Sequence, residues 1–218
     1  MESVIHLYRD HPAFLVAIAA LLGLAVGSFL NVAAIRIPRG ESVVHPPSRC
    51  MRCQHRLGPA DLVPVLGYVL LRGRCRYCGE TFSPRYAVVE SWTGVVYGFL
   101  AWKIGFGAEL AVGLLFASVL TVVTLTDLSH MLIPDKVVFF GIAAAFVLRL
   151  VSHPLPLWHY IAGFFAGGGA LYVLAWLSRA AWGKEGVGGG DIKLFAFVGL
   201  VLGVPLTMLT LFLACWFG

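Results

Sequence analysis

Apolar residues fall into six blocks along the chain, at Pro12–Ile35, Ala87–Trp102, Ala108–Thr126, Val137–Val151, Trp158–Ser178 and Leu194–Ala214. A helix needs about 20 mostly apolar residues to cross a bilayer. The blocks therefore predict an all-α polytopic membrane protein with about six transmembrane helices, the second and fourth short and ragged at their ends. Glycines recur inside the blocks at Gly23, Gly27, Gly163, Gly167, Gly168, Gly169, Gly199 and Gly203. Small residues let membrane helices approach closely, so these predict helix packing. One polar stretch, Arg36–Arg85, interrupts the pattern after the first block and predicts a small extramembrane module. The implied division is residues 1–35 as a first membrane helix, 36–85 as the module and 86–218 as a membrane-embedded domain.

Composition agrees with the pattern. Hydrophobic residues make up 59% and charged residues 12% of 218, and mean hydropathy is +0.86. A soluble globule carries about 25% charged residues, so most of this surface faces lipid. The net charge of +5 sits beside apolar spans and does not point to nucleic acid. It bears on orientation, because Lys and Arg concentrate in cytoplasmic loops. Arg36–Arg85 holds nine of the sixteen Lys and Arg residues against three acids. With that stretch inside, six crossings also place the loops Asp127–Lys136 and Arg179–Lys193 inside. Thirteen basic residues then lie inside and three, Arg9, Lys103 and Arg149, outside. Glu2, His6, Arg9, Asp10 and His11 do not form a positive leader, and the block after them is long, so the first helix is expected to be retained.

Four of the five cysteines form two pairs, Cys50-Met-Arg-Cys53 and Cys75-Arg-Tyr-Cys78, separated by 21 residues. Two such knuckles offer zinc a closed tetrahedron of thiolates, which is a structural site. A cytoplasmic module disfavours disulfides as the alternative. His45 and His55 are competing ligands, but four sulfurs already fill the site. Cys215 reads as an inert thiol in the last span. Between the knuckles, Leu62–Leu71 is apolar but too short to span, and is expected to lie along the membrane face or to seal the module onto it.

Two aspartates stand where membrane spans meet the inner face. Asp127 follows the long run ending at Thr126, and Asp191 follows Gly188-Gly189-Gly190 and precedes the sixth span. Carboxylates at membrane depth are costly and mark functional sites. Two aspartates in contact cannot both ionise, so a close pair shares one proton. The ionised member can draw a proton from water, while the neutral member polarises a peptide carbonyl and later protonates the leaving amine. This chemistry needs neither a metal nor a covalent nucleophile. Glycines at 188 and 190 let backbone and substrate come close to Asp191. Asp135, after Ile133-Pro134, is a rival partner, well explained as a carboxylate at a helix N-terminus. Glu90, within the second span, suits either a buried hydrogen bond or a polar site. Lys193 can tune the charge of Asp191 or meet lipid phosphate.

Taken together, the chain resembles the bacterial type IV prepilin peptidases. The resemblance is carried by Gly27-Ser-Phe-Leu-Asn-Val32 with Arg36 and Pro38, both cysteine pairs, Leu71-Arg-Gly-Arg-Cys75, and Arg85-Tyr86 ahead of Glu90. Its most specific parts are Asp127-Leu-Ser-His-Met-Leu-Ile-Pro-Asp135 and Glu185-Gly-Val-Gly-Gly-Gly-Asp-Ile-Lys-Leu194. The resemblance implies that Asp127 and Asp191 are the catalytic pair of an aspartyl peptidase of the inner membrane. Such enzymes cut pilin and pseudopilin precursors after the glycine that ends a short basic leader, on the cytoplasmic face. Many then methylate the new amino terminus with S-adenosylmethionine as donor, for which Glu90 is the candidate acid. Members usually continue with one or two further spans. Two other classes fit less of the pattern. An ion- or proton-coupled transporter would use membrane acids, but these lie near one face and no inverted repeat is visible. A zinc-bearing scaffold leaves both aspartates unexplained.

Overall fold

The computed structural model describes residues 12–183 and 186–217. The amino-terminal residues Glu2, His6, Arg9, Asp10 and His11, together with Lys184, Glu185 and the Cys215 side chain, lie outside the described residues. Among those described there is no strand. The long helices are α1 (Pro12–Arg36), α3 (Arg85–Ile104), α4 (Ala108–His130), α5 (Asp135–Val151), α6 (Leu157–Trp182) and α7 (Gly189–Phe217), and the short α2 (Leu66–Leu70) lies between α1 and α3. Four of them, α1, α4, α6 and α7, are long and apolar enough to cross a membrane. The two blocks read as short, now α3 and α5, fall outside that class. α5 is 17 residues long and begins on Asp135 and Lys136, while α3 carries Glu90 and Lys103.

The chain divides into two compact units, Met1–Phe106 and Gly107–Gly218. In the first, α1 packs along α3. A Cβ at Gly23 would come within 2.6 Å of the Thr93 carbonyl, and one at Gly27 within 2.9 Å of Glu90 Cα. Only glycine allows backbones this close. Asn31, buried, donates from Nδ2 to the Tyr86 carbonyl at 3.2 Å and fixes the register of the two helices. The helix starting at Arg85, grouped by sequence with the downstream membrane domain, thus packs with α1 in the first unit.

In the second unit α6 and α7 form the closest pair. Gly163 and Gly199 face each other so tightly that a Cβ on either would strike the other's backbone, and Gly167 lies against the Phe195 carbonyl. One glycine departs from the packing expectation. Gly169 faces open space. Gly203 has φ 73° and breaks α7 two residues before Pro205. Proline has no N–H to return to the carbonyl four residues back, which is that of Val201. The Arg149 guanidinium supplies the missing donor to that oxygen. Arg149 is only 3% exposed and also holds both oxygens of Glu109, at 2.9 and 2.7 Å. It is therefore a buried cross-brace between α4, α5 and α7 as well as one of the three basic residues counted outside.

Candidate active site and metal centre

The two knuckles of the first unit share one local design. Gln54 and Gly79 follow the second cysteine of each pair, with φ of 58° and 72°. Their N–H groups return to the Cys50 and Cys75 carbonyls at 3.0 Å, while the Cys50 and Cys75 N–H groups reach the His55 and Glu80 carbonyls. Glycine suits the left-handed position in the second knuckle, and glutamine accepts it in the first. The turns bring all four sulfurs within 4.8 Å of one another. Cys50 and Cys78 lie 3.7 Å apart, and Cys53 and Cys75 4.0 Å. Zinc–sulfur bonds of about 2.3 Å in a tetrahedron require sulfurs about 3.8 Å apart, whereas a disulfide closes to about 2.05 Å. The spacing fits a four-thiolate metal site.

The backbone N–H groups of Cys53 and Arg52, followed by hydrogen bonds to Cys53 and Cys78, lower the Cys50 thiol to about 7. At Cys78 the Glu80 N–H pulls downward, but burial and hydrogen bonds to the other three sulfurs raise the thiol to about 11. A cation at the centre would favour thiolate at all four. His55 lies outside the four-sulfur cluster; its ring sits tilted against Tyr77 with centroids 3.6 Å apart. Arg52 pairs with Glu80 across the knuckles. Asp61, buried between them, accepts from Arg76 at 2.9 Å and from the Gly58 N–H at 3.0 Å.

The apolar segment between the knuckles forms a 3-10 turn, Pro59–Leu62, and helix α2, with Val65 at φ 58° between them. Leu66, Val69 and Leu70 are exposed. Glu90 holds this segment: its Oε2 accepts the Val65 N–H at 2.7 Å, and it is only 8% exposed. The acid considered for methyl transfer is thus committed to anchoring the module on α3. Removing the acceptor leaves a half-buried N–H unsatisfied, so Glu90→Ala is expected to destabilise the first unit by about 1 kcal/mol. Glu90→Gln keeps an acceptor and is expected to unfold like the parent in thermal denaturation. Methylation by Glu90→Gln, read by product mass, then reports any chemical role apart from the anchor.

Both aspartates lie in the second unit and in the terminal turns of their helices, at the ends where the sequence places them. The apolar stripe stops at Thr126, but α4 continues for four residues to His130. It closes on Met131 in the left-handed region (φ 50°), whose N–H returns to the Asp127 carbonyl at 2.7 Å. Asp191 sits in the first turn of α7, where its own carboxylate lies beside Gly188. A Cβ at Gly188 would come within 3.0 Å of Asp191 Oδ2. At Gly190 a Cβ would meet Ile133 Cβ at 2.9 Å. Ile133 belongs to the four-residue turn between α4 and α5, so that turn and the first turn of α7 are in contact. This brings Asp127 and Asp191 to the same end of the unit.

The rival acid has a different employment. Asp135 does not cap α5; Pro134 occupies the cap position. Both Asp135 oxygens accept from Lys193 Nζ, at 2.7 and 2.8 Å. Lys193 therefore serves Asp135, a pairing that sequence had left between Asp191 and lipid. Among the described residues, Asp61, Glu80, Glu90, Glu109 and Asp135 each hold a hydrogen-bonding partner. The carboxylates of Asp127, Asp191 and the exposed Glu41 do not. Sequence missed the Arg149–Glu109 brace, although an arginine near the end of an apolar block was its signal.

Comparison with known proteins gives two family matches. A model described as the bacterial peptidase A24 N-terminal domain matches residues 21–104, and one described as the type IV leader peptidase family matches residues 114–218. Among curated relatives, a prepilin leader peptidase/N-methyltransferase of Bacillus subtilis is 35% identical over 204 residues, covering 94% of this chain and 80% of the relative. Proteins of the same description from Pseudomonas putida and Neisseria gonorrhoeae are 33% and 31% identical, covering 95% and 94% of this chain and 80% of each relative. No solved structure matches the chain.

Proposed function

We infer, from the premise that this chain belongs to the type IV leader peptidase family, that it is a prepilin leader peptidase and N-methyltransferase of the bacterial inner membrane. Its substrates are prepilins and pseudopilins, cut after the glycine that ends a short basic leader. Asp127 and Asp191 are the catalytic pair. One observation carries that assignment: the α4–α5 turn meets the first turn of α7, which puts both carboxylates at one end of the second unit with neither committed to a structural partner. As a pair sharing one proton, the ionised carboxylate takes a proton from the attacking water. The neutral one donates to the scissile carbonyl and then to the departing amine. Gly188 and Gly190 carry no side chain, which lets the Asp191 carboxylate lie beside Gly188 and Ile133 pack onto Gly190.

Zinc, held by Cys50, Cys53, Cys75 and Cys78, organises the module and takes no part in the cut. The methyl donor is S-adenosylmethionine. That assignment rests on the family, since no cluster among the described residues marks a place for the donor. Charge supports the orientation: the module and the turns bearing the aspartates fall on the cytoplasmic side, where Lys and Arg accumulate. Reporter fusions near Arg56 and Lys184 are expected to read cytoplasmic, and one near Ala108 periplasmic. Inversion at all three positions would put the aspartates on the wrong side for a leader not yet exported. Co-expression with a prepilin in a bacterial host lacking such an enzyme tests the function. The expected product is shorter by the leader. An uncut prepilin, with cation flux through the purified chain, would favour the transporter reading.

A further inference from the structure

Asp135 and Lys193 pair across a short gap between α5 and α7, the second of which carries Asp191. Asp135 is the first residue of α5 and Lys193 the fifth of α7. Both carboxylate oxygens take part, at 2.7 and 2.8 Å from Nζ. The ammonium also lies 5.5 Å from the centre of the Phe139 ring, one turn further along α5. Lys193 is thus laid against the face of α5 at two points. Below it the helices are close: a Cβ at Gly141 would touch the Phe197 ring at 3.1 Å. Above it, Ile133 fills the space at Gly190.

The geometry constrains how α7 is turned. Residues two apart on a helix are separated by about 200° of rotation and do not share a face. With Lys193 held on α5, Asp191 is aimed to another side of α7. α4 ends at His130, four residues before α5 begins, so the same turn fixes the end of α4 that bears Asp127. We propose that the Asp135–Lys193 ion pair is a latch that sets the rotation and height of the first turn of α7 against the α4–α5 turn. Both are positioning residues for the aspartyl pair. This rests on the peptidase reading and adds two residues to it. Asp135 shapes the site through Lys193 and does not itself act on substrate. The pair is half exposed, with side-chain accessibilities of 37% and 54%, which limits its coupling and sets it apart from the catalytic acids.

The test is a double-mutant cycle on the purified, zinc-loaded full chain, with kcat and KM for prepilin cleavage. Asp135→Asn and Lys193→Gln are each expected to lower kcat about fivefold, the upper range for an exposed ion pair, with KM moved by less than about twofold. The double variant is expected to lose the same factor, because either single already opens the latch. Hydrogen exchange at residues 191–193, measured on the same samples, is expected to rise about fivefold in each variant. Singles with parental kcat, losses that multiply in the double variant, or a change confined to KM would overturn the latch. Should the parent itself cut no prepilin, the peptidase reading falls, and the exchange measurement decides the latch alone: unchanged protection would overturn it.

Discussion

Asp127→Asn and Asp191→Asn are each expected to lower leader cleavage by at least about 10³-fold while the protein still inserts and binds zinc. A positioned acid or base contributes about 10² to 10⁴ to a proton-transfer step, and on the proposed assignment the two aspartates share one task, so losing either would disable both. Asparagine keeps the shape of aspartate but cannot accept the proton from water or share one with its partner. Stability should change little, because neither carboxylate holds a structural bond among the described residues. Asp135→Asn provides the contrast. It loses an ion pair to Lys193 and is expected to keep activity within about an order of magnitude. Cleavage rates of the three variants, normalised to inserted protein, check this. An essential Asp135 with a dispensable Asp127 would show the pair to be wrongly drawn.

The second large effect concerns the metal. Cys50→Ser or Cys75→Ser is expected to abolish zinc retention and unfold the stretch from Arg36 to Arg85. Both cysteines are buried at the sulfur cluster, and apart from the braces at Asp61 and Glu80 little else holds two knuckles whose apolar residues largely face outward. Structural zinc contributes about 10–16 kcal/mol in small four-ligand sites, far more than such a module gains from its core. Elemental analysis of the parent should give about one zinc per chain. Limited proteolysis of the variants should cut within the module first, leaving the second unit intact. A parent chain without metal but with disulfides joining the pairs would reject the site.

Much of this was legible in the sequence because it depends on short-range pattern. Apolar block lengths located the long helices, and Cys-x-x-Cys spacing located the knuckles, since each knuckle is built from local backbone bonds. The aspartates stand out as candidates for the same reason: each breaks an apolar pattern beside turn residues. What remained hidden depends on contacts between distant segments. That Lys193 serves Asp135 rather than Asp191 follows from how α5 lies on α7. The employment of Glu90 needed the approach of Val65, 25 residues earlier. The helix ends were misplaced where hydrophobicity and helix propagation diverge. Thr126 is the last apolar-stripe residue, yet α4 runs on until Met131 turns left-handed. The bracing role of Arg149 stayed hidden because sequence cannot show that Pro205 frees a buried carbonyl for it.

The most direct test of the central claim is the mass of a prepilin after incubation with the purified, zinc-loaded chain in lipid vesicles, with and without S-adenosylmethionine. The expected product lacks the leader, is cut immediately after its terminal glycine, and is heavier by one methyl group only when the donor is present. A precursor that stays intact while the chain is folded and zinc-loaded, or a cut made elsewhere, would contradict it.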